Sequence, residues 1–248
     1  MKVFFHEVRS QQLVFWRSKE AALFIFLFPL LLFVLLGSIY NGTIYGVPAP
    51  QALLAGLIGY GCANTAFAGL AIQLVVRREL GILKRLRATP LPARTYVAAV
   101  LTSTLIVFTV QTIALFLIGR LFYGTPFPSA IVSLILTVVL GAVAFAALGV
   151  AAASLIHSAE GSSAVVNFVL LPMAFLTGSF GPTRHYPRFL REVGNVLPLK
   201  YFIEIMNAVY LRGQAIWTKP GAIGVLAAWG ATGLVVAALK FRWEPRET

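Results

Sequence analysis

Residues 77–94 read RRELGILKRLRATPLPAR, a basic island set between two long apolar runs. Six of these eighteen residues are Lys or Arg (Arg77, Arg78, Lys84, Arg85, Arg87 and Arg94) against one acid, Glu79, in a chain whose charged content is only 11%. So many cations cannot lie in hydrocarbon. Leu80, Leu83 and Leu86 recur at about helical spacing beside Ile82 while the charges fall elsewhere, which predicts a short amphipathic helix lying across the plane of a membrane. Thr89-Pro90-Leu91-Pro92 ends it, because each proline lacks an N–H and disfavours helix in the residue before it.

Outward from the island the chain is too apolar for water. Of its 248 residues 59% are Ala, Val, Ile, Leu, Met, Phe, Trp, Tyr or Cys, where soluble domains reach about 45–50% even with Gly counted. An all-α integral membrane protein is predicted. Without a long polar block, 1–248 reads as a single transmembrane domain. The net charge of +12 would suggest nucleic acid in a soluble chain, but here the bases flank apolar spans, where they meet anionic headgroups of the lipid bilayer and fix topology; no nucleic acid is expected. All eight acids are Glu, and Cys62 is the single cysteine, so no disulfide or thiolate cluster is available within the chain. His6, His157 and His185 show no ligand spacing, and no metal site is expected.

Residues 1–20 mix Val3, Phe4, Phe5, Leu13 and Trp16 with Lys2, Arg9, Arg17 and Lys19, the pattern of an interfacial helix. The apolar run that follows is long enough to span and lacks a clear small-residue cleavage site, so the first span is expected to stay in the mature chain. It covers about Ala21 to Tyr40, roughly the 20 residues that cross a ~30 Å core, with Pro29 inside it. Further spans run from about Leu53 to Val76, Tyr96 to Gly119, Ser129 to Ile156, Gly161 to Phe180 and Ala222 to Leu239. The fourth carries Gly141, Ala142, Ala146, Ala147, Gly149, Ala151 and Ala153, small residues that let helices approach closely, and is expected at the centre of the bundle or at a helix interface. Asn41-Gly42-Thr43 matches a glycosylation sequon but reads more simply as part of a turn. Between the fifth and sixth spans, 181–218 alternates charge with pieces too short to cross; two short helices broken at Leu197-Pro198, dipping into or lying on the far leaflet, are predicted. Lys240-Phe241-Arg242-Trp243 closes the last span as a basic, aromatic stop.

The order of parts resembles the type 2 ATP-binding-cassette exporter permeases, the drug and polysaccharide exporter branch. The likeness rests on the N-terminal amphipathic helix, the six spans, RRELGILKRLRATPLP after the second span with its Arg78-Glu79-Leu80-Gly81 core and Pro90, and LPLKYFIEIMNAVYLRG before the sixth. It implies the membrane subunit of an exporter, not itself an enzyme, in a bacterial or archaeal cell membrane, with a cytoplasmic coupling helix and both termini cytoplasmic. It further implies two copies of an ABC ATPase subunit and a second permease copy or paralogue. No cofactor is expected on this chain: it has no G-x-x-x-x-G-K-[ST] loop, so ATP and Mg would sit on the partner ATPase. The resemblance marks 77–94 as the coupling segment. Arg77, Arg78, Arg85 and Arg87 would then meet the ATPase, Glu79 would cap the helix start or bind a base on the partner, and Gly81 would be small because a helix passes close. On charge alone, the same cations could simply obey the positive-inside rule.

Asn64 and Thr65 in the second span and Asn167 in the fifth are candidates for a substrate path, with Gln73 and Gln111 behind them; interhelical hydrogen bonding is the competing account. A drug-like or lipid-like amphiphile and a lipid-linked polysaccharide both suit such a permease. A rival class, an ion-coupled secondary transporter, usually places an ionisable residue at mid-membrane depth, and the six spans hold none near their centres. With the termini and island inside, 13 of the 20 Lys and Arg are cytoplasmic, which favours that orientation. Single cysteines at Arg87 and Arg191, in a chain lacking Cys62, should therefore label from opposite sides of intact cells; labelling of both from outside overturns the topology.

Overall fold

The computed structural model describes every residue except Met1, Asn41, Pro90 and 242–248. Asn41 of the sequon, Pro90 of the island and Arg242-Trp243 of the terminal stop thus lie outside the described residues. Among these, six helices are long and apolar enough to cross a membrane. The chain is an all-α integral membrane protein.

Helix α1 (Lys2–Arg17) lies against the bundle, and Ser18 separates it from α2 (Lys19–Ile39), the first span. Gln12 fixes α1 by donating from Nε2 to the carbonyl and hydroxyl oxygens of Ser103, at 2.9 and 2.8 Å. A two-residue hairpin of β1 (Thr43–Ile44) and β2 (Val47–Pro48) follows. Its central Tyr45 and Gly46 both take positive φ, 56° and 79°, the conformation that matches strand twist in tight hairpins.

The second span is a 31-residue column. It is built from α3 (Ala49–Cys62), a π-helical stretch (Ala63–Gly69) and α4 (Leu70–Glu79). It begins earlier than hydropathy suggests, because Pro50 is tolerated in the first helical turn. In its most apolar stretch 94% of positions are buried, against 28% in α2 and in the fifth and sixth spans, so this span is the axis of the bundle. After α5 (Ile82–Arg87) come α6 (Ala93–Tyr123), α7 (Ile131–Leu155) and α8 (Ala159–Thr177). The small residues of α7 do bring it close to its neighbours: a Cβ on Gly149 would stand 2.7 and 2.8 Å from the carbonyl oxygens of Ala66 and Phe67.

Beyond α8 the chain forms α9 (Arg188–Val196) and α10 (Pro198–Met206), then a π turn (Asn207–Leu211), a 3-10 turn (Ile216–Thr218) and the last span, α11 (Pro220–Lys240). The break falls at Leu197, whose ψ of 137° is extended, as the residue before a proline prefers. Helix α9 keeps Phe189, Val193 and Val196 exposed, whereas Leu199, Phe202, Ile205, Met206 and Val209 are fully buried. Ile203 packs on Gly59 and Phe202 on Gly141. Each glycine lies ten residues into its helix from the α10 side, about 15 Å at 1.5 Å per residue. Helix α10 therefore packs against the second and fourth spans at about that distance from their starts. The last span returns along α7, where Gly233 meets the backbone of Ala147 and Leu148.

These close approaches give a direct test. Gly149→Val places a branched side chain against two carbonyl oxygens and should lower stability by at least about 1–3 kcal/mol, whereas Gly221→Ala, which meets nothing within 4 Å, should not. Thermal unfolding followed by size-exclusion in detergent checks the difference.

Candidate functional site, the basic island

The island divides into a buried base and an exposed rim. Helix α5 is only six residues, Ile82–Arg87. Leu83 is fully buried and Leu86 half-buried, while Leu80 precedes the helix and is 61% exposed. The apolar face is thus shorter than the leucine spacing predicts, because Gly81 breaks the helical run before α5 begins. Lys84, Arg85 and Arg87 face solvent, and Arg85 Nη2 donates to the carbonyl of Leu80 at 3.0 Å, tying the rim to the turn above.

Arg77 and Arg78 are not part of that rim. They belong to the last turn of α4, 9% and 2% exposed. Arg77 Nη1 donates to Gln11 Oε1 at 2.6 Å and to the Tyr96 hydroxyl at 3.0 Å. Gln11 in turn donates from Nε2 to Glu7 Oε1 at 2.6 Å, so the Arg77 charge reaches a carboxylate through one neutral amide. Arg78 reaches the other way, donating from Nη1 to the carbonyl of Ala153 at 2.8 Å and from Nη2 to that of Ile156 at 2.5 Å. The expectation that Arg77 and Arg78 face a partner is corrected here: with their donors turned into the bundle, they join α4 to α1, α6 and α7.

Glu79 is exposed and caps a helix start, but the start of α8: its Oε2 accepts from the backbone N–H of Ala159. Gly81 also departs from expectation. A Cβ there would meet nothing within 4 Å, so no helix passes close. Its φ of 69° is the reason for glycine, since a left-handed backbone costs other residues about 1–2 kcal/mol. Sequence reasoning missed Gln11, Tyr96 and the α7–α8 connection as parts of the site. The one local signal was Glu7 and Gln11 at i, i+4, a pairing that fits one helix face.

Of the three path candidates, two are buried in the second span and the third is exposed on α8. Thr65 is buried and donates to Gln111 Oε1 at 3.1 Å, while Gln111 Nε2 donates to the carbonyl of Ile25 at 2.6 Å. Both therefore join helices. Asn64 is buried in the π stretch, and its Nδ2 has no partner among the described residues. Asn167 lies on the exposed face of α8 and donates to the carbonyl of Ser163 at 2.9 Å, within its own helix. An apolar crevice of about 270 Å³ opens between α4, α6, α7 and α11, lined by Leu74, Val100, Val143 and Leu234 among others; none of the three lines it.

If backbone conformation rather than space selects Gly81, Gly81→Asn should keep most of the stability that Gly81→Val loses, because Asn visits the left-handed region readily. A difference of about 1–2 kcal/mol is expected, measured by thermal unfolding of the two variants.

Comparison with characterised sequences agrees with this architecture. Over 173 residues, 68% of this chain and 46% of the relative, the chain is 26% identical to the inner membrane transport permease YhhJ of Escherichia coli strain K12. Over 161 residues, 64% of this chain and 44% of the relative, it is 23% identical to the probable multidrug ABC transporter permease YbhR of the same organism. The aligned part spans a little under half the length of these curated relatives. The ABC-2 type transporter family profile matches residues 3–211, from α1 through the island to the end of the π turn after α10. The chain belongs to the ABC-2 type transporter family, whose members are membrane permeases.

Proposed function

We propose that this chain is the membrane half of an ATP-driven exporter, with the island and both termini in the cytoplasm and the rim of α5 seated in a groove of a separate ATPase subunit. One observation carries the reading. Lys84, Arg85 and Arg87 stand exposed on a six-residue helix whose Leu83 is fully buried and whose preceding turn is anchored by buried Arg77 and Arg78. Cations that only marked the inner face of a bilayer would need no such anchorage. Here the rim is free to meet an acidic groove while its base is held, so closure of two ATPases on ATP and Mg could be passed to the spans as a rigid displacement. Two ATPase copies and two permease copies, identical or paralogous, complete the assembly in this reading.

The cargo we favour is a hydrophobic or amphiphilic molecule, drug-like or lipid-like. The mostly apolar spans suit it, and one relative is named a probable multidrug permease. Of the three path candidates, Asn64, with its unpartnered amide nitrogen, is the buried polar group left to receive a polar cargo atom. An ion-coupled mechanism fits less well: among the described residues, every Lys, Arg and Glu within the six spans lies within four residues of a span end.

Reversing Arg85 and Arg87 to Glu should reduce co-purification of the ATPase, as each charge pair broken in a desolvated interface can cost about 2–5 kcal/mol. The same reversal at Arg188 and Arg191 on α9 is the control. Equal loss in both variants, with membrane insertion verified, sinks the docking assignment. The intact complex should also contain two permease chains; a stable, active complex with one permease chain in total argues against the dimer.

A further inference from the structure

Adjacent residues at the end of α4 hold the two sides of one distant turn. Helix α7 ends at Leu155, α8 begins at Ala159, and only 156–158 lie between. The last carbonyls of a helix and its first N–H groups have no partners inside the helix. Arg78 supplies donors to the carbonyls of Ala153 and Ile156, and Glu79 supplies an acceptor to the N–H of Ala159. Each charge also has the sign that its helix end favours, positive at the carboxyl end of α7 and negative at the amino end of α8. Successive helical residues diverge by about 100°, which lets neighbours in sequence straddle the connection. Water could have satisfied helix ends at a membrane surface; instead Arg78, at 2% exposure, is buried to do so.

The position of this clasp matters because Gly81 and α5 follow within three residues. We propose that Arg78 and Glu79 are positioning residues that lock the α7–α8 connection to the base of α5, so that displacement of α5 is delivered to the fourth and fifth spans as well as to the second and third. The lock rests on geometry in this chain alone; the delivery rests on the ATPase-coupled reading above. Arg77 completes the hub on the opposite side, through Gln11 of α1 and Tyr96 of α6. The island's base thereby touches α1, α6, α7 and α8.

Hydrogen exchange by mass spectrometry tests both halves. In the permease alone, Glu79→Ala and Arg78→Lys should raise exchange at 156–161 about tenfold or more, the loss expected of hydrogen bonds to charged groups. Glu79→Gln, which keeps an acceptor, should restore part of the protection, and Arg188→Ala should leave it unchanged. Unaltered exchange in both Glu79→Ala and Arg78→Lys overturns the lock. In the complex with its ATPase, trapping with ATP and vanadate should change exchange in peptides of α4 to α8 of the parent chain. In Arg78→Lys and Glu79→Ala the change should persist in α4 to α6 and fall at least severalfold in α7 and α8. An undiminished response in α7 and α8 overturns the delivery even where the lock holds. Failure of any ATPase to co-purify with the parent chain would refute the coupling reading itself, with the lock still judged by exchange in the permease.

Discussion

Lipid tails are as apolar as leucine, so burying a leucine between two spans yields little free energy, and spanning helices cohere through close backbone contact instead. In this chain that contact is concentrated on α7. On one side Gly149 lies against the carbonyls of Ala66 and Phe67, and on the other Gly230 and Gly233 of α11 lie against Ala144 and Ala147. Gly141 admits the Phe202 ring of α10. Adding side-chain volume at any of these points would push those helices apart. The second span, the last span and α10 are all placed by reference to this one surface.

The charges work within that frame. A guanidinium brought out of water must recover its hydration through hydrogen bonds, and Arg77 and Arg78 do so on groups from α1, α6, α7 and the connection that follows α7. What looks like redundancy in the pair RR is a division of direction, Arg77 toward α1 and α6, Arg78 toward α7. The exposed rim of α5 can carry a high charge density because its base is not also charged toward solvent. Replacement of either arginine by lysine would keep the charge but not the planar, two-handed geometry.

The six spans were legible in the sequence because twenty apolar residues admit few other fates, and the small-residue content of the fourth span announced its close contacts. The island's place was equally plain. Its internal division was not, since a count of cations cannot tell which are buried when the burying groups, Ala153, Ile156 and Gln11, lie 66 to 78 positions away. Gly81 illustrates a different limit: glycine answers both a need for space and a need for positive φ, and only the backbone separates the two. Likewise the pieces within 181–218 read as too short to cross, yet the packing of α10 on Gly59 and Gly141, residues far from it in sequence, was not legible.

The π-helical stretch Ala63–Gly69 has a bearing on how such spans are drawn. A helix of 3.6 residues per turn advances about 100° per residue, and π turns, which bond five residues apart, take up residues at a slower angular pace. A wheel begun at Ala49 and continued without break would therefore assign Arg77 and Arg78 to the wrong faces. The compass bearing of the island, and with it which arginine meets α1 and which meets α7, is set by the seven residues where the helix is wound loosely. In that sense the middle of the second span acts as a phase shifter between the far half of the bundle and the island, and the uncharged letters ANTAFAG carry as much positional meaning as the charges they precede.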